Sequence, residues 1–208
     1  LLGLSILIFI IARVMPGDTA RLALGARTPE ETVEALREEM HLHDPLYKQY
    51  YYWITNALKG DLGNSIISKR PVLEDIKSYF PATVELVLLA AVIMVTFGLL
   101  LGVLSTKYCG KWQDGVIRIL SYLGVVSPGF LWGVLMMLLF AYIIPILPSS
   151  GRISEFMAPP TKVTGMYIID YLLEGNLQGA ADCFKHIIMP ALVLSFGGMS
   201  QAARITRS

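Results

Sequence analysis

Residues 86–104 (LVLLAAVIMVTFGLLLGVL) run for nineteen positions without a charged side chain. About 20 apolar residues in a helix cross the roughly 30 Å hydrocarbon layer of a bilayer. In that layer no water is present to meet backbone N–H and C=O groups, so a helix must satisfy its own. Leu, Ile and Val each favour insertion by about 0.3–0.6 kcal/mol at the helix centre, and nothing in this run opposes them. A soluble helix this apolar on every side would need a very large protein around it. The run therefore places the chain in the membrane class. Composition agrees: 16% of residues are charged, against about 25% in an average soluble domain.

Three further runs follow the same logic. Residues 1–12 (LLGLSILIFIIA) are uncharged but too few to cross alone, so they read as the end of a truncated span or as a buried core helix. Arg13 and Pro16-Gly17-Asp18 mark its exit. Residues 119–148 are uncharged, longer than one span needs, and interrupted by Pro128-Gly129 and Pro145. They predict one long helix with an irregular or kinked part near Ser127-Pro128. Residues 187–203 are rich in small side chains that let helices approach. Spans are expected at about 1–15, 82–106, 117–147 and 186–203. The fold class is an all-α membrane protein, a polytopic helical bundle with a helical external segment, 16–81, between its first two spans and a membrane core over 82–208. Gly98–Gly102 and Gly129–Gly133 have GxxxG spacing, read as packing within the bundle.

The segment 17–80 is polar, with ten Asp or Glu and eight Lys or Arg. Thr28-Pro29-Glu30-Glu31 has capping-box spacing with proline at the first helical position, and Val33, Leu36 and Met40 share one face of the helix that follows. Asp44-Pro45 opens a second helix that Gly60 can close. Its Tyr47, Tyr50, Tyr51, Tyr52 and Trp53 suit either a membrane interface or packing of the segment itself. Pro71 opens a third short helix leading to Pro81. Between the later spans, 149–185 reads as mixed loop, with Val163–Leu173 too short to cross.

The four spans put loop 107–116 and the tail after 203 on one side, and 16–81 and 148–185 on the other. Lys107, Lys111, Arg118, Arg204 and Arg207 mark the first side as cytoplasmic, since short loops decide orientation.

The chain lacks the signs of an enzyme. His41 and His43 have no third ligand partner, His186 sits at a span edge, and no HExxH, GxSxG or P-loop occurs. Cys109 and Cys183 form no metal or disulfide pattern. We expect no catalytic residue, cofactor or metal. A net charge of +1 gives no field for nucleic acid. The apolar runs hold no ionisable residue of the kind that marks proton relays, ion pumps or membrane proteases. That favours a route for solute with energy supplied elsewhere, or a purely structural membrane subunit. The missing initiator methionine and the stop just past the fourth apolar run lead us to expect an internal piece of a longer protein.

The order of several short motifs carries a resemblance. They are MPGD (Met15–Asp18), GDLGNSI (Gly60–Ile66) with Arg70-Pro71-Val72, and FPATVEL (Phe80–Leu86). SPGFLWG (Ser127–Gly133), ILPSSG (Ile146–Gly151), HIIMPALVLS (His186–Ser195) and ARITRS (Ala203–Ser208) follow. Nearly end to end, the chain resembles the permease subunits of binding-protein-dependent ABC importers of the dipeptide, oligopeptide and nickel type. The resemblance implies a multi-pass protein of the bacterial cytoplasmic membrane. Its partners would be a second permease subunit, two cytoplasmic ATPase subunits, an external solute-binding protein and the lipid bilayer. It implies import by alternating access, with peptides the first expectation among small solutes; the alternative is a non-transporting scaffold or assembly subunit. In that family a coupling loop and further spans follow, and Arg204 and Arg207 would begin the coupling segment. Ser127, Pro128, Gly129 and Phe130 are candidates to line or gate the pathway, or else form a plain kink. The region 16–81 would meet the binding protein or a partner permease, or only pack as a cap.

Overall fold

The computed structural model describes residues 2–14, 19–25, 27–65 and 67–208. The Met15–Asp18 motif and Ile66 thus lie outside the described residues. Two compact units divide the chain, Leu1–Lys77 and Ser78–Ser208.

In the first unit, α1 (Leu2–Val14), α2 (Thr19–Leu24), α3 (Glu30–Glu39) and α4 (Leu46–Leu58) follow one another. Val33 is fully buried, as its position on the apolar face of α3 requires. The capping box does not form. Pro29 is the flanking residue with extended ψ of 143°, and Thr28 instead donates its hydroxyl back to the Leu24 carbonyl at 3.0 Å. Glu30, Glu34 and Arg37 form ion pairs along the helix instead. The aromatic helix α4 packs in part within its own unit. Tyr50 packs edge-on to Phe9 of α1 at 5.3 Å and meets Ser5 at 2.9 Å, while Tyr47 and Tyr51 stay exposed. Gly60 ends α4 at φ +91°, a conformation that favours glycine. His43 pairs with Glu34 and His41 stacks on Tyr52, so both histidines are held by packing.

The first long helix, α5 (Val72–Lys107), is continuous through Pro81. The expected short helix ending at Pro81 is therefore the first turns of a 36-residue helix. Pro81 removes one ladder bond, but its ring is filled against Gly165. A Cβ on Gly165 would sit 2.9 Å from the proline Cγ, and its φ of +82° also demands glycine. Beyond α5 come α6 (Trp112–Val126) and α7 (Gly129–Met137), which continues into a π-helical turn, Leu138–Ile143. The Ile144 N–H reaches back five residues to Leu139 at 2.8 Å. Two more helices close the unit, α8 (Tyr167–Leu173) and α9 (Leu177–Arg207). Asn176 caps α9 by accepting from the Gly179 N–H at 2.9 Å, so the helix starts nine residues before its apolar run.

Packing of the second unit centres on the small-residue face of α9. Gly98 and Gly102 of α5 lie so close to it that a Cβ on Gly98 would come within 2.7 Å of Ala202. Gly124 of α6 meets Ser200 and Phe196 in the same way. The Gly129–Gly133 pair differs: Gly129 faces open space, and Gly133 would meet only Val193, at 3.9 Å. The outward faces stay apolar. On α5, Val92, Val95, Leu99, Leu100 and Val103 are all at least half exposed. Polar helix faces dissolved in water do not look like this; lipid or protein must cover it.

The segment 149–176 is more ordered than a mixed loop. Tyr171 fills the space over Gly179, and Tyr171, Ala180 and Cys183 form a small core with Ile153 and Ile168 around it. Asp170 is wholly buried and accepts from Thr164 N–H (2.8 Å), Thr164 Oγ (2.7 Å) and Gly165 N–H (2.9 Å). Burial pushes its carboxyl up, but these donors outweigh it and hold it below the usual range. A depressed folded value means stabilisation that is full above the unfolded value, about 3.9, and lost as pH falls through the folded one. Asp170→Asn is therefore expected to destabilise the unit by about 2 kcal/mol at pH 7. In thermal unfolding between pH 3 and 7, the gap to the parent protein should hold above about pH 4 and narrow below it. A gap that widened in acid would contradict this account.

Candidate functional site

Between α6 and α7 the helix breaks. Ser127 and Pro128 are both extended, with ψ of 136° and 138°. A residue before proline is pushed out of the helical region, and proline itself has no N–H. The two helix axes meet at 111°, far more than the kink the sequence suggests. The N–H groups of Gly129 and Phe130 find no backbone acceptor among the described residues, whereas Leu131 N–H reaches the Pro128 carbonyl at 3.0 Å.

The break opens on a cleft of about 780 Å³, within the 300–1,000 Å³ typical of small-molecule sites. Ser127, Gly129 and Phe130 line it; Pro128 makes the bend between them without being on its surface. The opposite wall comes from α9, through Met189, Pro190, Val193 and Phe196. Trp132 packs on Phe196 at 4.6 Å, and its indole N–H has no acceptor among the described residues. Ser149, Ser150 and His186 also line the cleft.

Two polar networks fix the ends of the unit. At one, Asp114 in the first turn of α6 is 1% exposed and gathers four hydrogen bonds. Ser105 Oγ of α5 donates at 2.6 Å, Gly110 N–H at 3.3 Å, and Arg207 Nε and Nη2 at 2.9 and 3.1 Å. This ties the α5–α6 turn to the last turn of α9. Arg207 is thus held in a forked ion pair, while Arg204 is exposed. At the other end, Arg152 binds Glu85 of α5 at 2.9 Å and lies over the Tyr167 ring at 3.6 Å; Glu85 also accepts from Ile168 N–H at 2.6 Å. Ser154 gives its N–H and Oγ to Asp182 of α9 at 2.8 and 2.6 Å.

These networks decide what the bent pair is. The chain leaves the Arg207 end of α9 at Asp114 and reaches the Asp182 end at Ser154. It has travelled the length of α9, so α6 and α7 together run from one end of that helix to the other and do not return to the end they left. The 25 residues from Asp182 to Arg207 cover about 38 Å at 1.5 Å per residue, more than the roughly 30 Å of hydrocarbon.

Sequence reasoning found the break but not Asp114, Glu85 or Arg152 as a set. The available signal was their position: charged residues at the rim of apolar runs, each requiring a partner. His186 was placed at a span edge; the structure adds that it faces the cleft.

Comparison with known proteins agrees with this architecture. Residues 1–87 match the family model described as binding-protein-dependent transport system membrane component, N-terminal. The chain is 40% identical over 206 residues to the probable D,D-dipeptide transport system permease protein DdpB of Escherichia coli (strain K12), covering 99% of this chain and 61% of that protein. It is 35% identical over 208 residues to the di/tripeptide transport system permease protein DppB of Pseudomonas aeruginosa (strain UCBPP-PA14), covering 99% and 61%. To the glutathione transport system permease protein GsiC of Salmonella choleraesuis (strain SC-B67) it is 31% identical over 208 residues, covering 100% and 58%. The chain thus spans about three-fifths of the length of these relatives. The helical membrane fold, the match over the N-terminal region and this near-complete alignment assign the chain to the membrane components of binding-protein-dependent transport systems.

Proposed function

We propose that the chain is part of the permease subunit of an ATP-driven importer that moves peptides or similar small solutes across the bacterial cytoplasmic membrane by alternating access. The observation that carries this is the sharply bent helix pair α6–α7 opening on a cleft, which we read as a broken crossing. Non-helical backbone at membrane depth is tolerated only where protein or a water-filled cavity meets it. The N–H groups of Gly129 and Phe130, which have no backbone acceptor among the described residues, therefore support a wet cleft. Ser127, Pro128, Gly129 and Phe130 are the candidate gate: rotation at Ser127–Pro128 swings α7 and widens or closes the cleft. The relatives named for dipeptides, di/tripeptides and glutathione make peptides the leading solute class.

Energy comes from separate subunits. Two cytoplasmic ATPases would act on the segment after α9, beginning at Arg204 and Arg207, and a second permease would complete the pathway. An external solute-binding protein would deliver the solute. The Asp114 end, with Lys107, Lys111, Arg118, Arg204 and Arg207 around it, is then cytoplasmic, and the Glu85–Arg152 end external. Each ligand shifts the inward–outward equilibrium only through its different affinity for the two states.

The test is uptake. Full-length subunit, partner permease, ATPases and binding protein are reconstituted in vesicles with radiolabelled Ala-Ala in L,L and D,D forms. The expected result is accumulation that needs both ATP and the binding protein. Assembly of the complex without uptake of either dipeptide would favour a scaffold subunit.

A further inference from the structure

His186 is chemically the odd member of the cleft lining. Its side chain is 5% exposed, yet it lies on a wall otherwise made by residues such as Leu86, Met189 and Phe196. Its Nδ1 stands 2.9 Å from the backbone carbonyl of Asp182. A carbonyl only accepts, so Nδ1 carries the hydrogen, and in the neutral ring Nε2 is left as an acceptor. Nε2 makes no hydrogen bond among the described residues. A second acceptor lies on the same residue. Pro190, inside α9 and on the cleft wall, has no N–H to give to the carbonyl four residues earlier, which is that of His186. Ser149 and Ser150 add hydroxyls to the lining next to Gly151, whose Cβ position lies 4.0 Å from the His186 ring, and among the described residues the lining contains no Lys or Arg.

Trp132, whose indole N–H is unpaired among the described residues, packs on Phe196, ten residues further along α9. Beside His186 itself the groups left open are acceptors, Nε2 and the His186 carbonyl, and these define what fits there. A lipid tail meets none of them. A carboxylate beside His186 would face the lone pairs of Nε2 and of the carbonyl. A protonated amine presents three N–H donors and one positive charge. We propose that His186 Nε2, the His186 carbonyl and the Ser149–Ser150 hydroxyls form a subsite that takes the ammonium end of a peptide, with Met189, Val193 and Phe196 receiving its side chain. The subsite rests on the import reading above and gives it a point of contact between solute and permease. It acts after the binding protein has made its own selection, by holding the peptide's amino end while the gate at Ser127–Phe130 moves.

The experiment uses the complete reconstituted transporter carrying Val193→Cys as a reporter, with whichever Ala-Ala dipeptide it imports. Three versions are compared: the reporter alone, with His186→Ala, and with His186→Gln. A charged, membrane-impermeant maleimide is expected to label the reporter cysteine, because the cleft is wet. Dipeptide under turnover should slow that labelling several-fold. His186→Ala should lower uptake per ATP hydrolysed about tenfold and remove the protection, while leaving labelling without dipeptide as it was. His186→Gln should recover at least a third of the uptake, since its amide oxygen accepts where Nε2 does. The subsite is overturned if the cysteine stays unlabelled, if His186→Ala imports at the reporter's own rate, or if the Ala and Gln versions fail alike with altered labelling in the absence of dipeptide. Should the reporter-free transporter import neither dipeptide, the import reading fails first and takes the subsite with it.

Discussion

Gly98→Leu combined with Gly102→Leu is expected to leave no folded, monodisperse protein in detergent. Both glycines sit where α5 touches α9. A Cβ on Gly98 would come 2.7 Å from the Ala202 Cβ and 3.2 Å from the Met199 carbonyl, and one on Gly102 3.0 Å from the Ala203 carbonyl. Carbonyls of a helix backbone cannot step aside, so the helices must separate. Overpacking of this kind costs about 1–3 kcal/mol per site, and separating the helices loses the close contact that drives association in lipid. The sum is a large share of an ordinary stability of about 5–15 kcal/mol. Gly115→Leu is the control, because nothing lies within 4 Å of its Cβ position. Size-exclusion profiles and thermal unfolding in detergent give the answer. Equal melting temperatures for the double variant and the control would mean that the α5–α9 contact does not hold the fold.

Asp114→Ala is expected to cut solute uptake at least tenfold in the reconstituted transporter while ATP hydrolysis continues. The carboxylate joins Ser105 and the α5–α6 turn to Arg207 at the end of α9 by a forked ion pair, with Cys109 of the same turn also beside the guanidinium. Under the proposed function, force from the ATPases enters just beyond Arg207 and must reach α6 to move the break at Ser127. Removing Asp114 strands Arg207 and frees Ser105, so hydrolysis and movement separate. Arg207→Ala should give the same defect, and the double variant should be no worse than either single one, the signature of a shared interaction. Asp114→Asn keeps acceptor capacity for Ser105 and Gly110 and should fall between. Uptake and hydrolysis measured on the same vesicles decide it; loss of both in equal measure would mean a folding defect instead.

The contrast between these sites shows what a sequence discloses. Residues 86–104 announce a crossing because burial in lipid is a property of each residue by itself. The break at Ser127-Pro128-Gly129 is similarly local: proline and its neighbour fix their own backbone. The limits of α5 and α9 were harder to read, since hydropathy marks where lipid begins and not where helix begins. Val72–Phe80 and Leu177–Lys185 are helical but polar. Pro81 looked like a stop because its partner, Gly165, lies 84 positions away in a different loop. The same distance problem hid the Asp114–Arg207 pair, 93 positions apart, and the union of Glu85 with Arg152. No periodicity or spacing encodes such meetings; they exist only once α9 is packed.

Helix α9 is anchored near each terminus, by Ser154 on Asp182 and by Asp114 on Arg207. Held so, it works as a strut: a load applied at one end arrives at the other with little lost to bending along the way. The backbone ladder is interrupted at Pro190 in the strut itself and at Ser127–Gly129 in the bent helix pair beside it. Both interruptions border the same recess. Two points of mechanical compliance thus flank the space that a solute would occupy, and strain entering at the Arg207 end would meet them there.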